Sequence, residues 1–356
     1  MPPQTLAALT DYRLLGKSGL RISPLCLGTM TFGTDWNWGS DKEESRKVFD
    51  LYVERGGNFI DSADAYTNGT SETYLGEFMA SRREQLVIAT KYSCNTRQGD
   101  PNAGGNHRKN MIQSVEASLK RLKTDYIDLY WLHIWDFLTP IEEIMRAFDD
   151  LVRAGKVLYI GISDAPAWKV SQANTIAELR GWTPFIGLQI EYNLLERTVE
   201  RDLTPMAQEL NIGVVPWSPL GGGVLTGKYN KTQPQDANTN QETSSRKEFN
   251  QTFGKLTDRN LTVAEEVQKI ATEIGRSPAQ VALNWLLQKP GVVSPIIGAR
   301  TIGHLEDNLQ CLDFVLSSEH LAHLDEVSKI ELGFPHDFLS SDMVKNVVNG
   351  GANIKA

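Results

Sequence analysis

The sequence predicts an α/β fold in which eight strand–helix units close into a (β/α)8 barrel of one domain. Eight short apolar runs alternate along the chain with amphipathic segments, which is typical of a parallel sheet. The runs are apolar throughout, as expected of strands that are buried on both faces. The length of 356 residues suits a single barrel. An open doubly wound sheet would show the same alternation and remains the alternative.

The predicted strands are rich in Val, Ile and aromatic residues, and each is four to eight residues long. In chain order they span residues 24–30, 58–61, 86–91, 127–133, 157–163, 185–192, 212–218 and 292–298. Eight such runs favour closure into a barrel over an open sheet.

Helices are predicted between these strands from apolar stripes and capping residues. In residues 107–121 and just beyond, one helical face carries Ile112, Val115, Leu119 and Leu122. A second helix is expected from the capping residue Thr139, with Pro140 in its first position, and a third from Ser277 with Pro278 in its first position.

Two segments fall outside this alternation. Residues 221–258 are rich in Gly, Asn, Gln and Ser and follow the seventh strand, so we interpret them as an insertion that forms a lid or a cofactor clamp. Residues 331–356 are interpreted as a loose C-terminal tail. Residues 1–356 are otherwise treated as one domain.

Composition narrows the function classes. Acidic residues outnumber basic ones, 44 to 36, and no basic run indicates nucleic-acid binding. No apolar run reaches the roughly 18 residues of a membrane span, and the first residues lack the layout of a signal peptide. Cys26, Cys94 and Cys311 are far apart, which favours a reducing, cytoplasmic location and packing roles for all three. The absence of CxxC and HExxH patterns argues against a metal site.

Polar residues end three successive predicted strands. Asp61 ends the second strand, Lys91 the third and His133 the fourth, while Tyr66 follows five residues after Asp61. Neighbouring strands lie about 4.8 Å apart, and barrel active sites form at the carboxyl ends of the strands. One such residue alone is more often a satisfied buried group, but together they favour a site.

The charges of these residues suggest a proton-donating device. Asp61 would hold Lys91 charged, and the ammonium would lower the pKa of the Tyr66 phenol from about 10 toward neutral. Such a phenol can protonate a developing alkoxide, and a neutral His133 can orient the same oxygen. Hydride from a nicotinamide would supply the electrons. Lys91 as a Schiff-base nucleophile is an alternative, but that lysine must be neutral, and Asp61 counts against it.

At these residues the chain resembles an aldo-keto reductase. The segments "GGNFIDSADAY", "ATKY" and "LKTDYIDLYWLH" resemble the parts of that family that carry its catalytic tetrad. The segments "VLYIGISDA", "LQIEYNLL" and "VVPWSPLGGGVLTGKY" resemble its cofactor-binding strands five to seven. The likeness implies that the tetrad is Asp61, Tyr66, Lys91 and His133.

The resemblance also implies NADP(H), extended across the barrel rim. The residues implied to bind it are Gly28, Thr29, Met30, Asp61, Ser163, Asp164, Gln189, Trp217, Ser218, Leu220, Gly221, Lys228, Gly298, Arg300, His304, Asp307 and Asn308. Among these, Ser163 and Gln189 would hold the carboxamide and Trp217 would stack on the ring. Arg300 is the best candidate for the 2′-phosphate, and Arg246 in the insertion is a second one.

Two departures from the family pattern concern the cofactor. Asp164 stands where many members have Asn or Arg, which places a carboxylate near the carboxamide. The eighth-strand segment reads "IIGARTIGHLEDN" in place of the "K-S" form of many members. The preference for NADPH over NADH therefore depends on Arg300.

Aromatic residues in the loops above the rim suggest the substrate. Trp36, Tyr92 and Trp135 are the predicted contacts, and stiff apolar walls suit an aromatic or otherwise bulky small-molecule carbonyl compound. Loop packing is the alternative interpretation. Oligomeric state, monomer or homo-oligomer, is left open.

The likeness is greatest to the branch of aryl-alcohol dehydrogenases and potassium-channel β-subunits. A cofactor-binding regulatory module with little turnover is therefore the alternative function. Channel β-subunits tend to replace the strand-four histidine with Asn, whereas His133 is present here.

Overall fold

Eight parallel strands form the barrel in the computed structural model, which describes residues 8–229, 251–252 and 254–352. The strands are β1 Arg13–Leu14, β2 Arg21–Ile22, β3 Cys26–Gly28, β4 Phe59–Asp61, β5 Val87–Tyr92, β6 Ile127–Leu132, β7 Val157–Ser163, β8 Phe185–Glu191, β9 Gly213–Trp217 and β10 Ile296–Gly298. Strands β3 to β10 overlap the eight predicted runs in order, and the first and last of them are shorter than predicted.

Strand order around the barrel follows the chain. Each of β3 to β8 pairs in parallel with the next strand, and β10 returns to pair with β3, so that Gly298 lies opposite Gly28. A parallel bridge between Val214 and Val292 closes the remaining seam. The (β/α)8 prediction is confirmed.

Helices surround the barrel and begin close to the predicted caps. Their bounds are α1 Lys42–Glu54, α2 Thr70–Phe78, α3 Arg108–Leu122, α4 Ile141–Arg153, α5 Ala167–Arg180, α6 Leu203–Glu209, α7 Asp258–Glu273, α8 Pro278–Leu287, α9 Ile302–Leu309, α10 Ser318–Val327, α11 His336–Ser340 and α12 Asp342–Asn349. Ser277 caps α8 in a reciprocal capping box, as predicted. The N-cap of α4 is Pro140, one residue after the predicted cap Thr139, so the helix begins at Ile141.

Side chains alternate between the barrel interior and the helix layer. Val87 and Ala89 point inward, whereas Ile88 and Tyr92 pack outward against the helices. Lys91 has the same parity as Ala89 and therefore points into the barrel, at its carboxyl end.

The Trp131 ring fills the barrel under that end. It is fully buried, and a Cβ added at Gly161 would lie 2.3 Å from it, while one at Gly187 would lie 2.8 Å away. Only glycine leaves room for the indole at these two positions. Trp131 therefore forms a solid floor beneath the polar strand ends.

An antiparallel hairpin that the sequence did not predict closes the opposite end of the barrel. Strands β1 and β2 pair there, and Leu15 between them is fully buried in the barrel interior. Gly16 has φ +53°, and a Cβ on it would lie 2.3 Å from the Ile186 carbonyl oxygen. The hairpin thus fits against the amino ends of the strands without a gap.

The two segments outside the alternation are described in part. A 3-10 turn spans Gly221–Thr226, at the start of the insertion, and α7 begins at Asp258. The segment treated as a loose tail contains α11 and α12, neither of which has a buried residue. Across the described residues, no helix combines the length and apolarity that a membrane span needs.

The hairpin's close fit is testable with two glycines. Gly16→Ala should lower the free energy of unfolding by about 2 kcal/mol or more, because the methyl group meets backbone atoms and φ is positive. Gly19→Ala is the matched control, since nothing lies within 4 Å of a Cβ there. Thermal unfolding monitored by circular dichroism measures both, and equal midpoints for the two variants would contradict the described packing.

Candidate active site

Lys91 is the centre of the polar cluster at the carboxyl end of the strands. Its fully buried ammonium donates to Asp61 Oδ2, to the Ser62 carbonyl oxygen at 2.7 Å and to Tyr66 Oη at 3.1 Å. An ammonium has three donors, so this set satisfies it completely. Burial alone would lower the pKa of Lys91, but Asp61 and Tyr66 outweigh it, and the pKa lies above its ordinary value. A neutral, nucleophilic lysine does not fit these contacts.

Asp61 is held from both sides of its carboxylate. Oδ2 accepts from Lys91, and Oδ1 accepts from Gln189 Nε2 at 3.0 Å. Thr29 donates its backbone N–H and its hydroxyl to the Asp61 carbonyl oxygen, at 2.9 and 3.0 Å. Burial raises the pKa of Asp61, and the Lys91 ammonium and the Gln189 amide limit the rise. The carboxylate is thus fixed in place as the partner of Lys91.

Tyr66 lies on a 3-10 turn, Tyr66–Gly69, directly after the second barrel strand. Burial raises the pKa of its phenol, and the Lys91 ammonium lowers it only in part. The predicted shift toward neutral is therefore wrong, and Tyr66 stays protonated at neutral pH. Its hydroxyl remains a donor that touches a buried cation.

His133 presents its ring edge-on to Tyr66, with ring centroids 5.8 Å apart. Burial, together with repulsion by Lys91, lowers the pKa of His133 to about 3. The ring is therefore neutral at physiological pH, as the sequence hypothesis requires. Its Nδ1 lies 3.4 Å from Cys94 Sγ. All four residues of the predicted tetrad meet at one rim.

The predicted carboxamide site contains an unpartnered hydroxyl. Ser163 is buried, and within the described residues no hydrogen bond of standard length reaches its Oγ. Its neighbour Asp164 accepts a hydrogen bond from Trp217 Nε1 at 3.0 Å. Burial raises the pKa of Asp164 to about 6, against the opposing effects of Trp217 and Ser163. The Ser163 hydroxyl influences Asp164 but makes no hydrogen bond of standard length within the described residues, so it can still bond a polar ligand group.

The turn after the seventh barrel strand adopts left-handed conformations. Ser218 has φ +51°, and its Oγ accepts from the Gly222 N–H at 3.1 Å. Gly221 has φ +57°, and a Cβ on it would lie 2.6 Å from the Leu195 side chain. Leu220 caps the 3-10 turn that follows. The predicted cofactor residues of this segment therefore lie together in one tight turn.

Basic residues gather at the end of the eighth strand. Burial and the positive charges of Arg300 and Lys228 lower the pKa of His304. Asn308 donates to the Gly298 carbonyl oxygen at 3.4 Å. Their predicted contacts with a cofactor stay predictions.

Three other predicted cofactor residues differ in their surroundings. Asp307 accepts from Ser277 Oγ at 3.0 Å and from Gln280 Nε2 at 2.7 Å, so its carboxylate is engaged at the start of α8. Met30 lies partly exposed at the rim, next to Thr29. Arg246 lies outside the described residues.

The predicted substrate residues fall into three environments. Trp36 packs against Trp38 at 5.6 Å and stands edge-on to Tyr66 at 6.4 Å, so it forms a wall of the site. Trp135 is nearly buried beside the exposed Phe137. Tyr92 requires a correction, because its fully buried side chain points away from the site.

Strand alternation explains the position of Tyr92. It follows the inward-pointing Lys91 and therefore stacks on Tyr130 in the helix-facing layer, at 5.4 Å. Its hydroxyl donates to the Asn106 carbonyl oxygen at 3.1 Å. Tyr92 is a packing residue.

Three residues near the site were not identified as such from the sequence. Trp131, the floor, lies two residues before His133 and could have been found from strand alternation. Cys94 was assigned a packing role, but it is partly exposed and contacts His133. Lys255 pairs with Glu191 and lies 5.7 Å from the Trp217 ring, a contact that no sequence pattern indicated.

Asp64 lies between Asp61 and Tyr66 and has an unusual environment. It is buried, and within the described residues neither carboxylate oxygen has a partner at standard hydrogen-bond distance. Burial and the nearby charge of Glu72 raise the pKa of Asp64 to about 7, although a weak interaction with the Ser114 hydroxyl and the charge of Arg121 oppose the rise. Asp64 is the least satisfied acid near the site.

Comparison with known proteins gives a consistent result. The model of the Aldo/keto reductase family matches residues 24–329. A norsolorinic acid reductase of Aspergillus flavus is 37% identical and covers 95% of this chain and 86% of its own. The aryl-alcohol dehydrogenase [NADP(+)] of Phanerodontia chrysosporium is 37% identical over 98% and 94% of the two chains. A putative aryl-alcohol dehydrogenase of Saccharomyces cerevisiae is 38% identical over 96% and 92%.

Asp64 predicts a pH-dependent stability. Its pKa is about 7 in the folded protein against 3.8 as the ordinary value, so between these values the folded protein holds a proton that the unfolded chain has lost. The contribution of Asp64 to the free energy of unfolding therefore falls as the pH rises through this range. Asp64→Asn should stabilise the protein more at pH 8 than at pH 5, by on the order of 2 kcal/mol.

Urea unfolding at the two pH values measures this difference. Asp125→Asn, which replaces an exposed carboxylate, is the control and should show the same small effect at both. A pH-independent effect of Asp64→Asn would mean that Asp64 is ionised throughout.

Proposed function

The chain belongs to the aldo/keto reductase family and is thus an oxidoreductase, and we propose that it reduces aldehydes and ketones to alcohols with NADPH. The reaction is a reversible hydride transfer. The observation that carries the proposal is that all three donors of the Lys91 ammonium are engaged, and that one of them donates to the hydroxyl of Tyr66.

These residues would each have one role. The rim residues would hold a nicotinamide, which would supply the hydride for a carbonyl carbon. Tyr66 donates its proton to the carbonyl oxygen, and the adjacent Lys91 ammonium stabilises the phenolate that is left. Asp61 keeps Lys91 charged and in place. His133, which is neutral, donates a hydrogen bond that orients the carbonyl oxygen.

The cofactor would be held by groups already at the rim. The unpartnered Oγ of Ser163 and the amide of Gln189 suit the carboxamide, and Trp217 suits the face of the nicotinamide ring. Lys228 and Arg300 suit the phosphates, since a guanidinium binds a phosphate through two hydrogen bonds. The name of the Phanerodontia relative, which specifies NADP(+), supports the same choice.

The substrate class is an aromatic or bulky carbonyl compound. Trp36 and Trp38 provide a rigid apolar wall beside Tyr66. The printed names of relatives, norsolorinic acid reductase and aryl-alcohol dehydrogenase, support aromatic substrates.

Turnover of a generic aryl aldehyde tests the proposal directly. Purified protein with 4-nitrobenzaldehyde should consume NADPH, measured by loss of its absorbance, and should consume NADH more slowly. A panel of aliphatic and aromatic carbonyl compounds then tests the substrate class. Tight NADPH binding without turnover across this panel would instead indicate a regulatory, cofactor-binding module.

Removing the proton donor should abolish most of the activity. Tyr66→Phe should lower kcat by at least about 100-fold and leave the Kd for NADPH nearly unchanged, because only the acid is lost. Tyr12→Phe is the control, since it removes a hydroxyl that bonds the Gly56 carbonyl oxygen far from the rim. Wild-type turnover by Tyr66→Phe would show that the acid is misassigned.

Arg300 should determine the preference for the phosphorylated cofactor. Arg300→Ala should raise the Kd for NADPH by about 10-fold or more and change the Kd for NADH by less than about 2-fold, because NADH lacks the 2′-phosphate. Arg108→Ala is a suitable control, as Arg108 pairs with Asp150 on the helix layer. Quenching of tryptophan fluorescence measures the Kd of each cofactor for the wild type and both variants, and equal losses for both cofactors would remove Arg300 from the proposed role.

A further inference from the structure

Cys94 contacts His133, the one residue of the tetrad to which Lys91 does not donate a hydrogen bond. It lies three residues after Lys91 and is partly exposed, whereas Cys26 and Cys311 are fully buried. Its Sγ is 3.4 Å from His133 Nδ1, within hydrogen-bond distance for sulfur. Within the described residues, this thiol is the hydrogen-bond partner of the His133 ring.

We propose that Cys94 is a positioning residue, whose S–H donates to Nδ1 of His133 and so keeps the ring proton on Nε2. The proposal rests on the proposed function, because a proton on Nε2 serves the reaction only if a carbonyl oxygen lies in front of it.

Hydrogen-bond chemistry favours this direction. A neutral imidazole has one donor and one acceptor nitrogen, and a thiol is a weak donor and a weak acceptor. Burial and the charge of Asp64 raise the pKa of Cys94 to about 11, so the S–H proton is present at neutral pH. The imidazole lone pair is a better acceptor than sulfur, which favours S–H···Nδ1 over Nδ1–H···S.

The neighbours of the ring leave this pairing intact. The His133 backbone N–H donates to the Tyr92 carbonyl oxygen, and the three protons of Lys91 are used by other acceptors. Tyr66 meets the ring through its edge, at 5.8 Å between centroids. None of these contacts competes with the thiol for Nδ1.

A thiol beside Nδ1 affects the tautomer and the charge of His133 differently from a carboxylate at the same position. A carboxylate beside Nδ1 accepts a hydrogen bond from Nδ1–H and raises the pKa of the imidazole, which favours the opposite tautomer or the imidazolium. A neutral donor selects the Nε2–H tautomer and adds no charge. His133 thus stays neutral while its donor is aimed at the rim.

Nitrogen NMR of histidine-labelled protein measures the tautomer itself. The His133 signals, assigned by their loss in His133→Gln, should show the proton on Nε2 in the wild type and in Cys94→Ser. Cys94→Ala should give a mixture of both tautomers, with the fold retained by circular dichroism. A wild-type proton on Nδ1, or a tautomer unchanged in Cys94→Ala, would overturn the proposal.

Kinetics test the same pairing through the reaction. Cys94→Ala should lower kcat/KM for the aldehyde by about 5-fold, the value of one neutral hydrogen bond, and leave the Kd for NADPH unchanged. In the His133→Gln background the same substitution should have no further effect. An equal loss in both backgrounds would mean that Cys94 acts by packing alone.

The two arms separate this proposal from the proposed function. Absence of turnover in the wild type would remove the proposed function, while the NMR arm would still decide the tautomer. Cys311→Ala, which removes a fully buried thiol elsewhere, is the control and should leave both the His133 signals and kcat/KM unchanged.

Discussion

A buried ammonium must have its charge and all its donors satisfied, and this requirement on Lys91 organises the whole site. An unpaired buried charge costs several kcal/mol, so each acceptor around Lys91 has to be delivered by the fold. The neighbouring strand supplies Asp61 and the Ser62 carbonyl oxygen, and the turn after it supplies Tyr66. Parallel pairing places these groups at one end of the barrel, where Asp61 lies opposite Ala89, two residues from Lys91.

The same end of the barrel also contains buried polar groups that make no hydrogen bond of standard length within the described residues. Ser163 Oγ and both oxygens of Asp64 are buried and lack partners at standard distance. Such groups cost free energy and are uncommon in folded proteins. The Ser163 hydroxyl and the Lys91 ammonium therefore differ: the first lacks a hydrogen bond of standard length, whereas the second has all three donors satisfied.

Much of this was predictable from the sequence because strands repeat every two residues and barrels carry their sites at one end. The eight strands and the meeting of Asp61, Lys91 and His133 follow from these rules. The β1–β2 hairpin could not be predicted in this way, because strands of two residues are too short to show an alternating pattern. The pKa of Tyr66 was missed because it depends on burial, which tertiary packing sets. Tyr92 was misplaced, although the parity of Lys91 already implied that its neighbour points outward.

The Trp131 floor has a consequence for traffic through the site. The indole over Gly161 and Gly187, together with Leu15 of the hairpin, leaves the barrel solid below the rim. Within the described residues, the barrel interior is therefore closed on the side away from the rim. If two molecules bound at this rim, the deeper one would have to bind first and leave last, because the packing around Trp131 closes the other side.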